Sequence, residues 1–279
     1  MPFGLRLPFR RSAPIVSVLR LNGVIAASGM PMRQNLHLAA LAEPIQRAFE
    51  GKGTKAVALA INSPGGSPVQ SALIAGRIRA LAKEKNLPVY TFVEDVAASG
   101  GYWLACAADE IFADRSSIVG SIGVIAAGFG FVEAIGKLGV ERRVYTEGEH
   151  KSLLDPFRPE DPEDVKRLKA LQREIHDGFK AYVQERRGRR LKGDEATLFN
   201  GDIWTGQGAL EHGLIDGLGD LRTVMRDRFG DKVRFRVANQ PKGWLSRRIG
   251  FGSAAVGEEA VAAVLGTLEA RAAWARFGL

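Results

Sequence analysis

Ser99 stands where an extended apolar run meets a run of small residues, in the stretch A-A-S-G-G-Y from Ala97 to Tyr102. Val89 to Val93 precede it as a strand, and Tyr102 to Ala108 follow as a short helix. A serine at such a corner presents its hydroxyl on a sharp turn, with the next backbone N–H groups pointing the same way. Gly100 has no Cβ to block an approaching carbonyl. The chemistry of this arrangement is nucleophilic attack on an acyl group. A lone S-G-G is more often a helix N-cap followed by loop glycines, so the rest of the chain decides.

A similar unit lies just upstream. Ala56 to Ile61 form an apolar strand, N-S-P-G-G-S follows at Asn62 to Ser67, and a helix runs from Pro68 to about Lys85. Buried apolar strands alternating with helices predict an α/β fold with parallel strands. If the two strands are neighbours, their loops meet at one edge of the sheet, where such folds bind ligands. Gly65 or Gly66 then supplies one backbone N–H and Gly100 another. Two converging N–H groups make an oxyanion hole.

A serine also needs a base to take its proton. His37, His176 and His212 fall in helical segments away from the glycine loops, and His176 reads as structural. His150 stands nearer, in the polar stretch E-G-E-H-K-S-L-L, and can be the base; Lys151 beside it reads by itself as a solvated loop lysine, and its role as a base is one that the family resemblance set out below implies. A lysine must be neutral to serve, and its unperturbed pKa is about 10.4. Burial lowers that value by penalising the ammonium. The uncharged run at residues 118–132 is expected to provide the cover, with Glu147 and Glu149 turned away.

The elements that must hold these residues follow from periodicity. Strands are expected at 15–21, 110–113, 118–119 and 140–146, with an edge strand at 233–237. Helices are expected at 36–50 with a kink at Pro44, at 131–138, from Pro162 to about Arg187, and at 221–229. Residues 201–219 read as a short strand, a short helix and a glycine-rich exit. Residues 1–14 are expected to form a basic arm, 15–240 one domain, and 241–279 a helical extension whose amphipathic part covers 254–277.

The 279 residues carry a net charge of +8. No nucleic-acid motif accompanies that charge, and aromatics are not interleaved with it, so nucleic acid is not an expected partner. An anionic membrane surface is, through peripheral contact. The one cysteine, Cys106, excludes an intramolecular disulfide framework and a cysteine cluster for metal. The N-terminus has no continuous apolar core of the secretory kind. The longest uncharged stretches are broken by Pro and Gly, so no transmembrane helix is expected and a cytoplasmic location is.

Four blocks in order carry a wider resemblance: N-S-P-G-G-S at 62–67, A-A-S-G-G-Y-W at 97–103, V-G-S-I-G-V at 119–124 and G-E-H-K-S at 148–152. With W-T-G-Q-G-A-L-E-H-G-L-I-D at 204–216, the chain resembles the signal peptide peptidase A (protease IV) family over residues 14–240. That resemblance implies the ClpP/crotonase-like fold of repeated strand–loop–helix units. It implies a serine endopeptidase with a Ser–Lys dyad, Ser99 as nucleophile, Lys151 as base and Ser121 holding the lysine amine. Gly65, Gly66 and Gly100 match its oxyanion loops, and no cofactor or metal is called for. It also implies hydrophobic peptide substrates such as remnant signal peptides, and a homo-oligomer with dyads completed between neighbours. The chain has one copy of the fold and no recognisable N-terminal anchor, unlike many relatives.

Two other functions compete. A crotonase-type acyl-CoA enzyme would use the same N–H pair on a thioester enolate, with Glu94 or Asp95 as acid/base. A non-catalytic scaffold for hydrophobic segments would need neither Ser99 nor Lys151.

Overall fold

A computed structural model describes residues 13–27, 35–239 and 271–278. The amphipathic stretch 254–270 and the basic arm at 1–12 lie outside the described residues. In chain order the elements are β1 (Ile15–Asn22), α1 (Leu38–Glu50), β2 (Thr54–Ser63), α2 (Pro68–Lys85), β3 (Val89–Ala98) and α3 (Gly100–Ala105). Then come β4 (Glu110–Ala113), β5 (Ile118–Gly120), α4 (Val132–Lys137), α5 (Pro162–Arg187) and α6 (Glu195–Leu198). β6 (Ile203–Thr205), α7 (Gly206–Glu211), β7 (Gly217–Leu218), α8 (Leu221–Phe229) and β8 (Arg234–Val237) complete the domain.

The sheet runs in the order β6-β5-β3-β2-β1-β8, with β4 pairing β3 and β7. Every pairing is parallel except β5 with β6. Parallel strands need both faces covered, and the alternation along β2 shows how this is met. Val57, Leu59 and Ile61 face the core under α1, α2 and α3. Ala56, Ala58 and Ala60 face a second, smaller core with Phe92, Phe112 and Met225 of α8. Trp103 of α3 stacks on Phe179 and Tyr182 of α5 at 4.7 and 5.4 Å between ring centroids.

Helix α1 runs unbroken through Pro44, and His37 caps it by accepting from Ala40 N–H. Residues 140–146 form no strand, although V-E-R-R-V-Y-T alternates. Alternation needs a partner edge to become a strand, and this stretch lies in an exposed arm, residues 125–160. The arm folds on itself: Phe131 stacks on Phe157, Phe131 N–H donates to Pro156 O, and Arg142 pairs with Asp155 at 3.0 Å. Among the described residues no helix is long and apolar enough to cross a membrane.

Candidate active site

The chain leaves β2 at buried Ser63 and β3 at buried Ala98, two adjacent strand ends. Their loops therefore emerge side by side, as the two strand–loop–helix units predict. Contact between them is close. A Cβ on Gly65, at φ +101°, would stand 2.8 Å from both Ala98 O and Ser99 Cβ and 2.9 Å from Gly100 N. Only a residue without a side chain lets the first loop approach the second to this distance.

Ser99 adopts φ 52° and ψ −121°, a left-handed conformation that costs a non-glycine residue about 1–3 kcal/mol. Its surroundings hold it there. Ser99 N–H donates to Gly120 O at 2.8 Å, and Trp103 N–H returns to Ser99 O at 3.0 Å as α3 begins. Ser99 is half-buried, and its hydroxyl has no hydrogen-bond partner among the described residues.

The three glycines divide their work. Gly65 N–H is occupied by Ser63 Oγ at 3.2 Å. Gly66 N–H and Gly100 N–H donate to nothing among the described residues. They are near neighbours, since a Cβ on Gly100 would lie 3.3 Å from Gly66 N. Two unpartnered main-chain donors beside a strained serine are what a developing oxyanion requires.

Ser121 joins the same hollow, of about 680 Å³, along with Gly65, Gly66, Ser99, His176 and Phe199. It too has a positive φ, 52°, fixed by its N–H donating to Asp202 O at 2.7 Å. Ala273, in a helical stretch, and Arg276 and Phe277, in the turn that follows it, also line the hollow.

His176 corrects an expectation. It reads from sequence as remote from the glycine loops, yet α5 runs back beneath the Ser121 corner. Its Nε2 lies 3.1 Å from Ile122 O, and the ring lines the hollow. Neither sequence candidate for the base lines that hollow. Lys151 sits exposed in a turn of the arm, its N–H on Gly148 O at 3.3 Å, and His150 is exposed beside Glu149. The expected cover is absent from the single chain, because residues 125–131 are themselves exposed. No carboxylate lies within ion-pair distance of Lys151 among the described residues.

Glu94 and Asp95 belong elsewhere. They border a separate hollow of about 570 Å³ on the α8 side of the sheet, with Phe92 and Phe235. Glu94 pairs with Arg20 at 3.3 Å, and Asp95 accepts from Asn62 Nδ2 at 2.5 Å. They cannot serve as acid/base for the Gly66 and Gly100 donors.

Behind Ser99 a buried polar clamp ties α3 to α5. Tyr102 Oη donates to Leu214 O at 2.8 Å. Arg187, 3% exposed, reaches Asp216 at 2.7 and 3.1 Å and also donates to Gly213 O. Burial alone would raise the Asp216 carboxyl, but the hydrogen bonds and charge of Arg187 outweigh it and hold the pKa below the usual range. Burial pushes the nearby Cys106 thiol up to about 11, so this cysteine is an inert core residue.

The family model for peptidase family S49 matches residues 81–229. A putative protease of Synechocystis sp. is 34% identical over 212 residues, covering 73% of this chain and 75% of that protein. A putative signal peptide peptidase SppA of Enterococcus faecium is 34% identical over 205 residues, 72% of this chain and 59% of that protein. A Brucella abortus protein named Na(+)/H(+) antiporter NhaA is 52% identical over 97% of this chain, which spans only 38% of that protein's length. Among solved structures, a mutant of the 1510-N membrane-bound stomatin-specific protease superposes with a TM-score of 0.52 at 16% identity, covering 83% of this chain and all of that one. That likeness places the α/β sheet and its helices in the ClpP/crotonase-like fold.

Proposed function

The chain belongs to peptidase family S49, and from that premise we propose that it is a serine endopeptidase whose base reaches Ser99 from a second copy of the chain. The observation that carries this reading is the strained Ser99 beside the free N–H groups of Gly66 and Gly100. Ser99 Oγ bonds to the scissile carbonyl carbon as its proton passes to the neutral Lys151 amine. The carbonyl oxygen takes up the negative charge between the Gly66 and Gly100 donors. Lys151 then returns the proton to the leaving nitrogen, the C–N bond breaks, and water releases the acyl group by the same route. Ser121 orients the amine.

A lysine acts as base only where its ammonium is desolvated. Lys151 is exposed in the single chain, while the arm that carries it bares Phe129, Leu138, Val140 and Tyr145 to water. Docking that arm against a neighbour would bury both the apolar residues and the lysine. Substrates are extended apolar segments with a small residue before the cleaved bond. The support is the apolar and glycine-rich lining of the hollow and the signal peptide peptidase named in the Enterococcus relative. The net charge of +8 favours peripheral contact with an anionic membrane, screened by salt.

The test uses fluorophosphonate labelling and peptide cleavage. Ser99→Ala and Lys151→Ala should each abolish turnover, and mixing the two dead chains should restore part of it. Dead variants that stay dead on mixing refute the shared dyad. A Lys151→Ala chain with normal turnover, silenced instead by His176→Ala, replaces the lysine with a histidine.

A further inference from the structure

The hollow at Ser99 does not end at His176. It continues past Val124 and His176, which it shares with a second depression of about 280 Å³ along α5. That depression is lined by Lys169, Gln172 and Arg173. These three and His176 recur at helical spacing of three and four, so they share one face of α5. Lys169 and Arg173 are exposed, and neither has a carboxylate partner among the described residues. The contrast along the same helix is clear. Lys166, Arg167 and Lys180 are each paired, with Glu163, Asp164 and Asp177. Asp177 is near enough to feel Arg173 and His176, but its hydrogen bond goes to Lys180 at 2.7 Å. Arg276, which has no carboxylate partner among the described residues, also borders the hollow.

We infer that the α5 face of Lys169, Gln172 and Arg173 is an anion subsite that takes a carboxylate of the peptide lying in the Ser99 hollow. This rests on the reading of that hollow as a peptide cleft. Two unpaired cations and an amide donor at the end of a groove that mixes apolar residues such as Val124, Ile125 and Phe199 with serines and Asn200 select a ligand that carries a negative group at one place. The carboxylate can be the C-terminus of a released peptide or an acidic side chain flanking an apolar segment. Both present the same group to Lys169 and Arg173. Exposed charge pairs contribute little each, so the subsite discriminates modestly and acts on binding.

The experiment measures binding to the Ser99→Ala chain, which holds peptide without turning it over. Three fluorescent apolar peptides of one sequence are compared by anisotropy: one with a free C-terminal carboxylate, one amidated, and one amidated with an internal Glu. At least one carboxylate peptide should bind about two- to tenfold tighter than the uncharged one, the range expected of one or two exposed pairs. Whichever peptide shows the advantage identifies the source. The advantage should shrink at about 0.5 M salt, where screening acts over only a few ångströms. It should fall toward one when Lys169→Gln and Arg173→Gln are added to Ser99→Ala. Equal binding of all three peptides, no binding of any, or an advantage that survives the double substitution overturns the subsite. Because no cleavage is measured, failure here is distinct from failure of the peptidase reading, which wild-type labelling decides.

Discussion

Replacing Gly65 by alanine tests the junction of the two loops. The new methyl would stand 2.8 Å from Ala98 O and Ser99 Cβ, and 2.9 Å from Gly100 N. Two of those neighbours are main-chain atoms and cannot swing aside. The φ of +101° adds a left-handed penalty of about 1–2 kcal/mol, and crowding a packed site adds about 1–3 kcal/mol. The loss of about 2–5 kcal/mol stays within the 5–15 kcal/mol of a typical domain, so the protein should still fold. Activity should suffer more than stability. Parting the loops moves the Gly66 and Gly100 donors off a shared oxygen, and losing one such donor costs about 100- to 1,000-fold in kcat. Gly76→Ala is the control. Gly76 lies on the exposed side of α2 with nothing within 4 Å of a Cβ, so alanine should stabilise by about 0.5–1 kcal/mol and leave kcat alone. Urea unfolding and steady-state cleavage of one apolar peptide give both numbers for each variant. A Gly65→Ala chain with kcat within a few-fold of wild type would refute the assignment of these loops to the oxyanion.

The clamp behind Ser99 makes two further predictions. Arg187→Ala leaves the Asp216 carboxylate half-buried, and breaking such a pair costs about 3–5 kcal/mol. Ile111 N–H and Arg190 remain on Asp216, which sets the expected loss in urea unfolding near the lower end. Asp216 titrates below its unfolded value, so its contribution is present above about pH 4, the unfolded carboxylate pKa, and is lost as pH falls through the folded one. Acid titration of stability should therefore show this component in wild type and lack it in Asp216→Asn; identical acid profiles would contradict the assignment.

Much of the site was legible because its chemistry is local. Asn62 to Ser67 and Ala97 to Tyr102 each hold strand end, turn and helix start within six residues, so neighbouring strands suffice to bring Gly66 to Gly100. Helix α5 was equally plain, from the Asp161 cap and Pro162 at its start to Gly188 at its end. Strand β3 runs on past Val93, where the apolar run ends, through Glu94 and Asp95 to Ala98. Arg20 and Asn62 donate to those two carboxylates at the sheet surface, a fact held by residues distant in sequence. His176 was misplaced for the same reason. Its helical spacing says nothing of where 26 residues of α5 cross the sheet edge. The strand expected at 140–146 failed for the opposite reason, since its alternating pattern was real but the chain offers it no edge.

The exposed arm has a consequence for kinetics. Phe129 and Tyr145 are 81% and 90% exposed, while Ser99 waits in a hollow that its own Lys151 does not line. If a second copy supplies the lysine, as proposed, specific activity becomes a function of the protein's own concentration. At high dilution velocity would climb with the square of the chain concentration or faster, and it would turn linear only once association is complete. A dispersed chain would then be a zymogen without a propeptide, switched on by crowding onto one surface, and diluting an assay would be a form of inhibition.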